Sequence, residues 1–269
     1  MEFLSGLFGI SDPKLIAMTL LAIVFGIYMA WTIGANDVAN AMATSVGSGS
    51  LTYRQAILVA GIMEFAGAVL AGSHVTDTIR KGIVNAELFN SDPLLLMLGM
   101  LSALLAAALW LHAATIFGLP VSTTHSIVGA VVGFGLLVYG MNSVHWNKIL
   151  QIVLSWIISP ISGGIVAFFI FKLIRWRVFS ASNTRRALSN WVPFFAGLTI
   201  AIIILSSIYK GLKNINIDTR TAILLAVGAG SLTYGILRIT LNFIKPTKKK
   251  DLDFIERIFM ILQVITAAY

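Results

Sequence analysis

The chain has 269 residues, of which 58% are hydrophobic and only 11% charged, with a net charge of +8; a soluble domain carries about a quarter charged residues. That balance excludes an ordinary water-soluble fold, and the absence of cysteine excludes a disulfide framework and a thiolate metal site. The basic excess does not describe a nucleic-acid surface, because Lys and Arg gather in the segments beside apolar runs, as in the cytoplasmic loops of membrane proteins.

The N-terminal residues include Glu2 and Asp12 and lack the basic start of a signal peptide, so they read as mature sequence. The first apolar run, residues 15–33, is 19 residues long without a charge. A helix needs ~20 residues to cross a hydrocarbon layer of ~30 Å. Runs of similar length follow at 55–72, 94–118, 149–171, 192–208 and 221–244, and shorter ones at 126–141 and 254–269. No strand-like alternation competes with them, and in lipid each segment must satisfy its own backbone polar groups. The expected class is therefore all-α, a polytopic transmembrane helical bundle.

Directly after the first run stands GANDVANA, residues 34–41. A charged Asp at membrane depth is disfavoured by a few kcal/mol and marks a functional position by default. Gly34 is expected to loosen the helix so that the backbone opens, with Asn36, Asp37 and Asn40 presenting oxygens and amides at the break. The structural alternative is close packing at Gly34 and Ala35 with the Asn side chains bonded to a neighbouring helix. Glu64, in the middle of 55–72, is either a coupling-ion or proton site or an interhelical hydrogen-bond partner. Asp77 and Arg80 read as a solvated pair.

A second interruption, GLPVSTTHS at 118–126, follows the longest run. Pro120 suits the first turn of a helix. A half-helix starting near Val121 would point its free N–H groups and positive dipole end into the membrane. That end is an anion site, with the hydroxyls of Ser122, Thr123 and Thr124 as further donors, although any one of them alone reads equally as a cap. His125 could relay protons or bond a neighbouring helix. Gly129 and Gly133 read as a small-residue packing pair. Runs 94–118 and 126–141 are either a re-entrant hairpin meeting at this break or two crossing helices.

Beyond the break, basic residues cluster at Lys172, Arg175, Arg177, Arg185 and Arg186, and again at Lys245, Lys248, Lys249, Lys250 and Arg257. Two full-length runs separate the clusters, so loops 172–191 and 245–253 are both assigned to the cytoplasmic side of the cell membrane. Loop 209–220 is then external despite Lys210, Lys213 and Arg220. The tract 245–253 reads as a solvated connector that can touch anionic lipid.

GANDVANA at 34–41 and PVSTTHS at 120–126, in this order and spacing, resemble the inorganic phosphate transporter family, the PiT group of sodium- or proton-coupled phosphate carriers. The resemblance implies an inverted-repeat transporter with discontinuous or re-entrant helices, of which this chain holds one motif copy. It implies a midmembrane site in which Asn36, Asp37, Ser122, Thr123 and Thr124 meet phosphate, while Asp37 and Asn40 hold Na+. Neither motif contains Lys or Arg, so a cation bound at Asp37 must neutralise the site before an anion enters, the general order in secondary transporters. Glu64 and His125 are the further coupling or proton candidates.

On this reading the protein is not an enzyme and has no covalent cofactor. Its partners are inorganic phosphate, Na+ or H+ and the bilayer, with a homodimer as a route to a second half-site and no nucleic acid. Residues 1–141 form the first-repeat transport core with both breaks, 142–244 further transmembrane helices, 245–253 the connector, and 254–269 the start of a second-repeat helix in a longer reading frame. A sulfate or other oxyanion permease of the same architecture is the alternative. An intramembrane hydrolase built on Ser122 and His125 is disfavoured, because sequence neighbours rarely give a nucleophile and base their geometry and no nucleophile elbow is present.

Overall fold

The computed structural model describes residues 9, 12–211, 217–244 and 249–268; the side chains of 70–81 and 249–256, with a few others, lie outside that description. Asp77, Arg80 and Arg185 are among those side chains, and residues 245–248 lie outside entirely. The described residues form α1 (Pro13–Gly47), α2 (Tyr53–Gly82), α3 (Pro93–Ile116), α4 (Thr123–Tyr139), α5 (Trp146–Ile174), α6 (Thr184–Ser206), α7 (Thr219–Ile244) and α8 (Lys249–Ala268). Short 3-10 turns follow α2 and α4, at Ala86–Phe89 and Gly140–Ser143, and π turns extend α5 and α6 at Arg175–Phe179 and Ser207–Gly211.

Six described segments are long and apolar enough to cross a membrane: Pro13–Gly47, Pro93–Ile116, Thr123–Ser143, Trp146–Phe179, Arg186–Tyr209 and Thr219–Phe243. The all-α bundle expected from the apolar runs is thus present, with its helical discontinuity between α3 and α4. The run at 126–141, expected to be short, reaches crossing length because its helix begins at Thr123 and the 3-10 turn prolongs it to Ser143. Within the expected connector 245–253, residues 249–253 are helical, in α8. Past Pro246 nothing in KKDLDFIER opposes a helix, since Lys, Leu, Glu and Arg are good helix formers.

Helix starts follow from capping residues. Asp92 accepts a hydrogen bond from the backbone N–H of Leu95 at 3.1 Å with Pro93 in the first turn of α3, and Asn183 accepts from that of Arg186 at 3.0 Å at the head of α6. Such caps satisfy N–H groups that the helix itself leaves unpaired.

Two compact units result, one from Met1–Ala41 with Ser73–Val153 and one from Met42–Gly72 with Leu154–Tyr269. In the first, α3 and α4 pack as a hairpin. The ring of Phe134 fills the space that a side chain at Gly99 would need, and it lies 5.4 Å from Phe89, which meets Tyr139 edge-on at 4.9 Å. Below them an isolated bridge pairs Val84 with Val144 through Asn85 N–H to the Ser143 carbonyl (2.8 Å) and His145 N–H to the Ile83 carbonyl (3.0 Å). Further along α3, Met29 of α1 joins Ala107, Ala108 and Leu111 in a buried cluster. Lipid is as apolar as these side chains, so close packing and hydrogen bonds rather than dehydration hold such helices together.

In the second unit α6 and α7 approach most closely at two glycines. A methyl group on Gly197 would stand 2.6 Å from the Gly230 carbonyl oxygen, and one on Gly230 would stand 2.7 Å from that of Gly197. This is the small-residue contact the sequence suggested for Gly129 and Gly133; at those two positions an added methyl meets nothing within 4 Å. A gap of four residues permits close approach but does not say that a partner comes. The seam is completed by Val192, Leu241 and Ile258, and by Arg238 Nη1 donating to Asn190 Oδ1 at 2.6 Å.

Candidate functional site

The first polar stretch does not break its helix. α1 runs through Gly34 as one 35-residue helix, so the expected opening of the backbone at GANDVANA is corrected, and with it the carbonyl oxygens such an opening would have freed. A Gly in a helix interior is disfavoured by only about 1 kcal/mol relative to Ala, whereas each backbone group unpaired in hydrocarbon loses several. Asn and Asp here project from an intact helix. Asn36 and Asn40 are one turn apart on the same face, but Asn36 is 6% exposed while Asn40 is open.

The second stretch does break the chain, and its residues explain how. α3 ends at Ile116 with Phe117 as its C-cap; Gly118 takes φ +65°, its N–H bonds the Thr115 carbonyl at 3.0 Å, and the Leu119 N–H bonds the Ala114 carbonyl at 2.8 Å. These two reversed bonds around a left-handed glycine form a Schellman motif, after which a proline commonly prevents the helix from resuming. Pro120 fills that role. It was expected inside the first turn of the next helix, but α4 starts at Thr123 with Ser122 as its cap, leaving Pro120 two residues outside.

The open backbone of this tip is satisfied by one side chain from α1. Asn36 Nδ2 donates to Thr115 Oγ1 (3.1 Å) and to the Leu119 carbonyl (3.1 Å), and Asn36 Oδ1 accepts from the Val121 N–H at 3.2 Å. Both amide hydrogens and one oxygen lone pair are thereby engaged. Next along α1, Asp37 Oδ2 accepts a hydrogen bond from Thr123 Oγ1 at 2.7 Å. Thr123 is the first residue of α4, so a carboxylate faces the positive end of that helix dipole, a favourable placement.

Of the other candidates, Ser122 caps α4 by accepting from the His125 N–H at 3.4 Å, and its carbonyl accepts from Ser126 Oγ at 2.9 Å. Ser122, Thr124 and His125 are exposed around the α4 N-terminus. Glu64 lies on α2 in the second unit, with its side chain exposed. The structure therefore brings Asn36, Asp37 and Thr123 into direct contact around the tip, with Ser122 and Thr124 beside them. Among the described residues no group of three His, Asp or Glu could hold a metal ion.

The sequence reading passed over Thr115, which receives Asn36 and itself donates to the Leu111 carbonyl at 2.7 Å, and over Tyr28 and His112, joined at 2.6 Å between Tyr28 Oη and His112 Nδ1. Trp31 lies 5.2 Å from the His112 ring. A signal existed: Tyr28, Thr32 and Asn36 recur every four residues along α1, a polar stripe that begins within the apolar run 15–33.

Membrane-length helices, with a carboxylate and a half-buried hydroxyl meeting at the head of a discontinuous helix pair, define an integral membrane protein with a polar site between its helices. The chain belongs to the phosphate transporter family, whose signature matches residues 33–269. It is 43% identical over 260 residues to a candidate phosphate permease of Thermococcus kodakarensis, covering 97% of this chain and 62% of that protein. It is 50% identical over 186 residues to the chloroplastic inorganic phosphate transporter 2-1 of Arabidopsis thaliana, covering 69% of this chain and 32% of that one. A solved structure titled the sodium-dependent phosphate transporter superposes with a TM-score of 0.83 at 43% identity, over 94% of this chain and 62% of that structure's. The chain thus spans about three fifths of the length of the relatives that match nearly all of it.

Proposed function

We propose that the protein, at the full length of its relatives, is a secondary active carrier that moves inorganic phosphate across the cell membrane together with Na+, and is not an enzyme. The observation that carries this reading is the Asp37 carboxylate held at the head of α4 by Thr123, in a chain of the phosphate transporter family. Anions bind at helix N-termini, where free N–H groups and the dipole converge; Ser122, Thr123 and Thr124 add hydroxyl donors there. The same helix end carries no Lys or Arg, so phosphate beside Asp37 needs a cation to offset the repulsion. Na+ is preferred to H+ because the superposing solved structure is titled sodium-dependent.

In this reading Asp37 and Asn40 hold the cation, with Glu64 and His125 as further coupling or proton positions. Asn36 differs from the expectation drawn from the motif: its hydrogen bonds are spent on the hairpin tip, and we assign it to positioning rather than to phosphate contact. The site is half of an inverted-repeat arrangement, completed by a second motif copy in the same longer chain or by a partner in a homodimer. We assign segments 172–191 and 245–253 to the cytoplasmic side.

The test is uptake of radiolabelled phosphate by the full-length carrier in proteoliposomes. A sodium gradient should drive accumulation that a proton ionophore leaves intact and excess sulfate does not inhibit. Accumulation that follows the proton gradient alone would replace Na+ with H+, and equal inhibition by sulfate would make the protein a general oxyanion permease.

A further inference from the structure

Thr123 carries a single hydroxyl proton, and a hydroxyl can donate to only one strong acceptor at a time. That proton is donated to Asp37, in a bond of 2.7 Å, within the distances typical of a hydroxyl donating to a carboxylate though at their long end. The amide of Asn36, the residue before Asp37, cannot stand in for it, because both its hydrogens are taken by Thr115 and Leu119; of the donors at this helix end, Thr123 is the one held by the carboxylate. A phosphate oxygen approaching the first turn of α4 would need the same proton, and it would meet the carboxylate that holds it. Asp37 and the substrate are therefore competing anions at one helix end.

Resting on the carrier reading above, we infer that the Thr123 hydroxyl is a switch between Asp37 and phosphate, thrown by the coupling cation. A cation on Asp37 takes the carboxylate lone pairs that Thr123 occupies, turns the hydroxyl toward the substrate position and cancels the charge that repels phosphate. Linkage then requires that phosphate tighten cation binding by the same factor by which the cation tightens phosphate binding. The switch makes an unusual demand on one substitution. Thr123→Val removes the bond that a cation must displace, so the cation alone binds more tightly, while phosphate loses a donor and binds more weakly. Thr123→Ser keeps the proton and should behave as wild type.

The experiment is equilibrium binding of radiolabelled Na+ and of radiolabelled phosphate, each with and without the other, to the full-length carrier in lipid nanodiscs. For Thr123→Val the expected result is Na+ affinity raised about tenfold in the absence of phosphate, phosphate affinity lowered about tenfold at saturating Na+, and a smaller gain in phosphate affinity from Na+. Na+ affinity that is unchanged while phosphate affinity falls would make Thr123 a plain substrate donor and overturn the switch. Loss of both affinities, with Thr123→Ser also impaired, would make it structural and overturn it equally. Wild-type protein that binds Na+ but no phosphate at all would instead sink the carrier reading on which the switch rests.

Discussion

Two stretches of similar polarity, GANDVANA at 34–41 and GLPVSTTHS at 118–126, take opposite conformations: the first is continuous helix, the second an interrupted turn between α3 and α4. Polarity at membrane depth therefore does not itself break a helix. The break needs Gly118 in a left-handed conformation and Pro120 just beyond it, whereas Gly34 sits in ordinary helical backbone. The two stretches also complement each other. The intact helix supplies the amide and carboxylate that the interrupted one requires, and Asn36 serves Thr115, Leu119 and Val121 at once.

The largest expected effect comes from removing that service. Asn36→Leu strands the Leu119 carbonyl and Val121 N–H, both part-buried; an unpaired group is worth about 1–3 kcal/mol when fully buried, so thermal unfolding of the full-length protein should register a loss of about 2 kcal/mol. Hydrogen exchange should rise at 117–122. Asn40→Ala, one turn away and exposed, should change stability by no more than about 0.5 kcal/mol. Equal effects at the two positions would break the contrast between clamp and open face.

The glycines sharpen the same comparison. Gly118→Ala places a side chain at φ +65°, which is disfavoured by about 1–2 kcal/mol. Gly34→Ala, with nothing within 4 Å of the added methyl, should be neutral or stabilising by up to about 1 kcal/mol. Midpoints from thermal melts in one detergent would decide; a destabilising Gly34→Ala would mean that α1 does open there.

How much of this was legible in the sequence divides along the same line. Five of the six long runs expected to cross, all but 55–72, and the break at 118–122 follow from apolar run length and from Gly and Pro chemistry, all local properties. The continuity of α1 was not legible, because a lone Gly between strong hydrophobic runs is a weak signal against cooperative backbone bonding. Nor was the role of Asn36, which depends on three atoms 79 to 85 residues away. Gly129 with Gly133 and Gly197 with Gly230 show the same limit, since small residues permit an approach that only the fold decides.

The smallest effect lies outside the membrane, at the start of α7. Asp218 accepts hydrogen bonds from the backbone N–H groups of Arg220 at 3.1 Å and Thr221 at 3.3 Å. Bonds from the Thr221 side chain and backbone, then from Arg220, hold its carboxyl below the ordinary value of 3.8. A depressed value means stabilisation that is present above the unfolded value and lost as pH falls through the folded one. Asp218→Asn should therefore lower the melting temperature slightly at neutral pH, and the difference should shrink as pH falls below the ordinary value of 3.8 and vanish once the folded carboxyl is protonated. Water can replace this cap, as it cannot replace Asn36, and the contrast in size between the two variants measures that.

The central claim is that the charge on an unbroken α1, and not a freed backbone, couples cation to anion at the head of α4. Asp37→Asn tests it most directly, because the amide keeps the shape and can still accept from Thr123 while the charge is gone. In proteoliposomes of the full-length carrier with an imposed sodium gradient, this variant is predicted to insert normally and to lose concentrative phosphate uptake. Accumulation at the wild-type level would contradict the account.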